Sequence, residues 1–273
     1  MNKSCCIILP NQLFKNSLFH KQNLKVFLTE EYLFFNQYKF HKQKICFHRA
    51  TMKFYEDYLK EFKCDIEYIN SFSEVSNIKK LVKHIQTLGY NTIEIYDPVD
   101  FLLSKRLINI CDELNIKLII YDTSLFINSR EELKDFFKES KKKFFQTSFY
   151  KSERKKRNIL IDDNEKPEGG EWTYDIMNRK KFPKDSIPPK IINPKKNSYV
   201  IEAEEYVEEY FHANYGVLGQ FNYPTTIEES EKWFKNFLEE RFNNFGDYED
   251  AIVKDSLTLN HSILSPLMNI GFL

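Results

Sequence analysis

DDNEKPEGGEWTYDIMNRKKFP, residues 162–183, is the stretch on which the architecture turns. Glycine is scarce in this chain, seven in 273 residues, yet Gly169 and Gly170 are adjacent. Two successive residues without a Cβ let the backbone turn sharply or approach another surface closely. Trp172, Tyr174, Asp175, Asn178 and Arg179 follow with neither a helical nor a strand period. The stretch therefore reads as a hinge. What it joins is decided by the patterns on either side.

On the amino-terminal side, short apolar runs of strand length recur at Cys5–Pro10, Leu24–Thr29, Asp65–Ile69, Thr92–Tyr96 and Lys117–Tyr121. Between them lie segments of helical spacing: 41–62, 73–88 with Ser73 as cap and Gly89 as stop, and 99–114. Strands alternating with helices of ten or more residues make βαβ units. The expectation is an open, five-stranded, mostly parallel α/β sheet with helices on both faces and right-handed crossovers. No GxGxxG follows the first strand, so the dinucleotide fingerprint is absent. Ligands of such sheets sit beyond the strand carboxyl ends. That selects Asn11, Gln12, Glu30, Glu31 and Asp97 as rim residues, each of which also has an ordinary reading as a cap or a solvated side chain.

Toward the hinge the composition changes. Residues 138–157 carry nine basic side chains, Lys138, Lys141, Lys142, Lys143, Lys151, Arg154, Lys155, Lys156 and Arg157, against Glu139 and Glu153. Phe144, Phe145, Phe149 and Tyr150 are interleaved. Basic side chains release counterions from phosphates and aromatics stack on unpaired bases, so this is a candidate nucleic-acid surface; a charged connector anchored by its aromatics has the same composition. After the hinge, Pro183, Pro188, Pro189 and Pro194 mark an extended crossing. Helical patterns resume at 202–215 and after Thr225-Thr226, where Glu228 and Glu229 suit the first turn. The chain closes on the apolar segment HSILSPLMNIGFL. Three parts follow: 1–130, an α/β domain; 131–201, a basic, Gly-Gly and Pro-rich linker; and 202–273, the start of an all-α domain.

Forty basic and forty acidic residues leave no net charge, so an attraction to nucleic acid or membrane must be local. No apolar run nears the ~18 residues of a membrane span, and the N-terminus lacks a secretory pattern, which points to the cytoplasm. Cys5, Cys6, Cys46, Cys64 and Cys111 have no CxxC spacing and lie in apolar surroundings, so they read as reduced, mostly buried thiols. No metal site is expected.

Five strings resemble the photolyase/cryptochrome family, in particular its deoxyribodipyrimidine photolyase-related branch of iron–sulfur (6-4) photolyases and cryptochrome-like relatives. They are ILPNQLF, HKQKICFHRATMKFYEDYL, GGEWTYDIMNR, and the pair RFNNFGDYEDAI and HSILSPLMNIGFL, in that order along the chain. The resemblance implies an antenna domain whose chromophore, a lumazine in this branch, meets Asn11, Gln12, Glu30 and Glu31. Asn11 stands where an acid is usual. It also implies a helical domain holding FAD, with the diphosphate near His261, Ser262, Ile263, Leu264 and Ser265, and Tyr248 and Asn269 as further contacts. Hydroxyls and helix-start N–H groups suit phosphate. Damaged DNA is the implied partner, met by Lys151, Arg154, Lys155, Arg157 and Arg179, with no membrane partner. Oligomeric state is not legible.

Members of that branch are nearly twice as long and carry four cluster cysteines further on, whereas no cysteine follows Cys111 here. An iron–sulfur cluster expected in the family thus lacks its ligands. The chain reads as the front half of a photolyase-like protein. The implied activity is light-driven repair of (6-4) or cyclobutane pyrimidine dimers by electron transfer from reduced FAD. Alternatives are a blue-light receptor of the same fold, or an inactive α/β fragment with no flavin and an exposed apolar surface around residues 264–273.

Overall fold

The computed structural model describes residues 3–20 and 24–273. Five strands, β1 (Ser4–Ile8), β2 (Lys25–Thr29), β3 (Asp65–Ile69), β4 (Thr92–Tyr96) and β5 (Lys117–Tyr121), form one sheet in the order β3-β2-β1-β4-β5. Every pairing is parallel. The helices in chain order are α1 (Tyr32–Phe35), α2 (Lys42–Glu61), α3 (Ile78–Thr87), α4 (Phe101–Glu113), α5 (Arg130–Lys134), α6 (Gln146–Arg157), α7 (Ser198–Tyr210), α8 (Ile227–Glu240), α9 (Phe242–Phe245) and α10 (Ser265–Ile270). The expected α/β sheet is present, each strand within two residues of its predicted bounds.

Strand position explains strand composition. β4 is buried at all five residues, as a central parallel strand covered on both faces must be. The edge strands β3 and β5 expose Asp65 and Lys117, charges that discourage pairing with a further strand. Side chains alternate across the pleat. Cys5, Ile7 and Leu9 join one cluster with Leu81, Ile85, Leu103 and Leu107 of α3 and α4. Cys6 and Ile8, equally buried, point to the opposite face, which α2 covers. Each fully buried aliphatic of this kind contributes roughly 1.5–3 kcal/mol.

One cap moves. The helix expected from Ser73 begins at Ile78, because a short 3-10 turn occupies Glu74–Ser76 and Asn77 accepts the Lys79 N–H at 3.1 Å. Gly89 does end it, at φ +82°.

The chain divides into two compact units. The first comprises residues 1–126, 192–234 and 264–273; the second, 127–191 and 235–263. A later all-α domain is not shown. α7 instead packs along α2 in the first unit, where Arg49 of α2 forms an ion pair with Glu202. The tail joins the same unit. Leu264, Leu267, Ile270 and Phe272 are buried, the Leu13 N–H donates to Ile270 O at 2.9 Å, and Phe272 meets Phe54 edge-on at 5.7 Å. The apolar surface expected around residues 264–273 is therefore largely covered, because the apolar side of α10 has the Leu13-Phe14 turn to pack on.

Candidate chromophore, flavin and nucleic-acid residues

At the carboxyl rim of the sheet, the four predicted antenna residues have different duties. Gln12 is buried and held at both ends of its amide: its Nε2 donates to Tyr96 O at 2.8 Å and its Oε1 accepts from the Leu9 N–H at 3.3 Å. Asn11 donates from Nδ2 to Pro98 O at 3.2 Å, while its Oδ1 is buried with no partner among the described residues. A buried acceptor without a donor costs about 1–3 kcal/mol unless a ligand or water supplies one.

Glu30 is fully buried at the centre of a polar network. Oε1 meets Arg49 Nη1 at 2.9 Å and the Tyr68 hydroxyl at 2.7 Å; Oε2 accepts from the Ser71 N–H and the Tyr206 hydroxyl, both at 2.7 Å. Burial works against the Arg49 charge, but Glu202 and Glu30 outweigh it and hold the guanidinium firmly protonated. The same burial and the Glu30 charge push the Tyr206 hydroxyl up, so it stays a donor. Glu31 caps two helices at once, accepting from Leu33 N at the start of α1 and Ile78 N at the start of α3. Burial raises its carboxyl to about 7 despite those two donors. Sequence marked Glu30 and Glu31. It gave no sign of Arg49, Tyr68 or Tyr206, because their pairing spans up to 176 residues.

In the second unit, the Gly-Gly stretch opens as a hairpin, with Asp162 N donating to Lys166 O at 2.8 Å and Glu168 N to Leu160 O at 2.9 Å. Gly169 and Gly170 sit at φ +77° and +85°, which few side-chain-bearing residues tolerate, and a Cβ on Gly169 would strike the Tyr174 hydroxyl. Trp172 then packs against α6, with Lys151, Arg154 and Lys155 each within 6 Å of its ring centroid. The stretch continues to residues 241–250. Lys180 pairs with Asp247 at 2.8 Å, Arg179 with Asp250 at 3.4 Å, and Phe182 meets the Tyr248 ring at 5.3 Å. Between these segments a cleft of about 580 Å3 is lined by Tyr150, Asp175, Asn178, Asn243, Asp247 and Glu249 among others. Its carboxylates and amides suit a ligand rich in N–H donors rather than a phosphate.

The profile of the deoxyribodipyrimidine photo-lyase-related protein family matches residues 6–223. The chain belongs to that family. It is 36% identical over 191 residues to an uncharacterized protein of Acanthamoeba polyphaga mimivirus, covering 66% of this chain and 96% of that one. It is 27% identical over 241 residues to a (6-4) photolyase of Agrobacterium fabrum, covering 85% of this chain and 46% of that protein. The photolyase-related chain thus spans about half the length of that photolyase.

In this photolyase-related chain the predicted flavin residues lie in both units. Tyr248, His261, Ser262 and Ile263 belong to the second; Leu264, Ser265 and Asn269 belong to the first. His261 Nδ1 accepts from Leu259 N at 3.2 Å, which leaves the ring proton on Nε2 as a donor in the neutral tautomer. Ser262 and Ser265 make no side-chain hydrogen bond with the described residues, so both hydroxyls are available. Leu264 is buried, and Ile263 adopts φ +58°.

The predicted DNA residues separate sharply. Arg154 is only 6% exposed; it donates to the carbonyls of Ile159 at 3.1 Å, Trp172 at 3.2 Å and Leu160 at 2.5 Å. It holds the hairpin and Trp172 onto α6 and has no face for a phosphate. Lys155 pairs with Glu165, and Arg157 with Glu153 and Glu132. Lys151 has no acidic partner among the described residues, and Arg179 is 76% exposed beside Asp250. Lys142 and Lys143, part of the same basic run, are exposed and unpaired among those residues.

The cysteines are free, four of them buried, and burial pushes the Cys5, Cys46 and Cys111 thiols up to about 12. They are inert at neutral pH. No cluster of three or more His, Cys, Asp or Glu among the described residues has the arrangement of a metal site. Among the described residues no helix is long and apolar enough to cross a membrane.

Proposed function

We propose that this photolyase-related chain serves light-driven repair of pyrimidine dimers in DNA, (6-4) photoproducts or cyclobutane dimers, by electron transfer from reduced FAD. One observation carries the reading. The hinge stretch 169–180 and the string RFNNFGDYEDAI, each of which resembles family sequence, fold onto each other in one unit through Lys180–Asp247 and Arg179–Asp250. Reduced FAD, when bound, supplies the photoexcited electron; the protein supplies binding and position. Its candidate contacts are Tyr248, His261 and Ser262 in the second unit and Ser265 and Asn269 in the first, the serine hydroxyls being donors suited to its diphosphate. At the sheet rim the unpartnered Asn11 Oδ1 accepts a donor from the antenna chromophore, a lumazine, while Gln12, Glu30 and Glu31 shape the wall. Lys142, Lys143, Lys151 and Arg179 hold DNA phosphates, and the lesion is flipped from the stack. The setting is the cytoplasm.

The test is a spectrum and a repair assay. Flavin absorbance in the as-purified protein, with blue-light-dependent loss of the lesion from an oligonucleotide, supports the reading. Flavin without any preference for damaged DNA assigns the photoreceptor role instead. No flavin uptake by protein supplied with FAD overturns both.

A further inference from the structure

In the first unit a cleft of about 680 Å3 opens beyond the carboxyl ends of β2 and β3. Its walls are α1, the loop after β3 and the first turns of α3, and none of Asn11, Gln12, Glu30 or Glu31 lines it. The volume is that of a small-molecule site. Two kinds of group converge there. Lys79, Lys80 and Lys83 fall along one side of α3 and bring three ammonium groups against a single carboxylate, Glu74. Glu74 is 86% exposed and, among the described residues, pairs with Lys80 alone, at 3.1 Å. Lys79 and Lys83 make no ion pair and no side-chain hydrogen bond with the described residues. In a chain of zero net charge this is a concentrated positive corner.

The other wall is aromatic. Phe72 is 56% exposed and Tyr32 is 39% exposed. Phe72 is not a loose surface ring: it stacks on Tyr210 at 4.5 Å with 18° between planes and touches Tyr206, which Ser71 and Glu30 hold through its hydroxyl. The outer face of Phe72 is thus a platform fixed from behind. The loop under it is fixed too, since Asn36 Nδ2 donates to Ser71 O at 2.7 Å.

A positioned ring beside unpaired ammonium groups in a concave site matches one ligand chemistry. We propose that this cleft binds a phosphorylated planar heterocycle of the nucleotide class, its ring stacked on Phe72 beside Tyr32 and its phosphate paired with Lys79 and Lys83. Stacking on an aromatic contributes about 1–3 kcal/mol per base, and charge-assisted hydrogen bonds fasten the phosphate. The assignment is independent of the light-driven reading, because it uses no antenna, flavin or DNA candidate.

The experiment titrates the full chain with ADP and, separately, inorganic pyrophosphate by calorimetry at low salt. ADP is expected to bind about tenfold tighter than pyrophosphate. Lys79→Glu with Lys83→Glu weakens both ligands by about tenfold or more, and Phe72→Ala weakens ADP by about tenfold while sparing pyrophosphate. If Phe72→Ala lowers the Tm, Phe72→Leu, which keeps bulk against Tyr210, replaces it. Absence of ADP binding at millimolar concentration, equal affinity for the two ligands, or indifference to the lysine variants overturns the proposal. So does tighter binding of an oligo-dT through the same lysines, which makes the occupant a nucleic acid.

Discussion

A buried carboxyl that titrates near neutrality makes Glu31 the most informative single residue. Its proton is held more tightly in the folded chain, at about 7 against 4.5 unfolded. The stability it contributes is therefore full below pH 4.5 and is lost as pH rises through 7. Comparing wild type with Glu31→Gln by urea denaturation, the balance should shift toward the glutamine variant by roughly 2–3 kcal/mol between pH 5 and pH 8. Arg49 has the opposite character, since it neutralises Glu30 at zero exposure. Arg49→Ala leaves that carboxylate unpaired and should cost roughly 3–5 kcal/mol, whereas Tyr206→Phe removes one donor and should cost about 1 kcal/mol. Equal losses from the two would show that the charge pair is not the centre of the network.

Among the elements, α6 and α10 each depend on one residue. Arg154 ties three carbonyls to α6, so Arg154→Ala should cost roughly 2–3 kcal/mol and red-shift the Trp172 emission. Lys156→Ala, which breaks an exposed pair with Glu132, should leave that emission unchanged. Gly271 ends α10 at φ +89°, and a Cβ there would lie 2.6 Å from the Phe14 ring. Gly271→Ala should cost roughly 1–3 kcal/mol and raise amide exchange across residues 264–273; unchanged exchange would mean α10 is held some other way.

For the whole molecule, a balanced total charge hides an uneven distribution. Lys142 and Lys143 are unpaired among the described residues, while Lys155 and Arg157 already face carboxylates. If the basic run holds DNA, Lys142→Glu with Lys143→Glu should lower the salt slope of binding by about 2. Lys155→Ala with Arg157→Ala should change it less. Filter binding at several salt concentrations separates the two, and equal effects would return the interface to α6.

Local chemistry was legible from the residues alone. Strand runs, the helical spacing of 41–62 and 99–114, the Gly89 stop and the Gly169-Gly170 turn depend on neighbours a few positions away, and all of them stand in the structure. So does the sheet, because apolar strands alternating with amphipathic helices have few other ways to be buried. Only the tertiary structure decided where α7 and α10 belong, which cations are free and what surrounds Glu30. Each of those depends on partners distant in the chain: Glu202 lies 153 residues from Arg49, and Trp172 lies 18 from Arg154 across a hairpin. A basic residue looks the same in sequence whether it meets a carbonyl, a carboxylate or water. Folding sets that difference, because desolvating a charge forces it to find a partner.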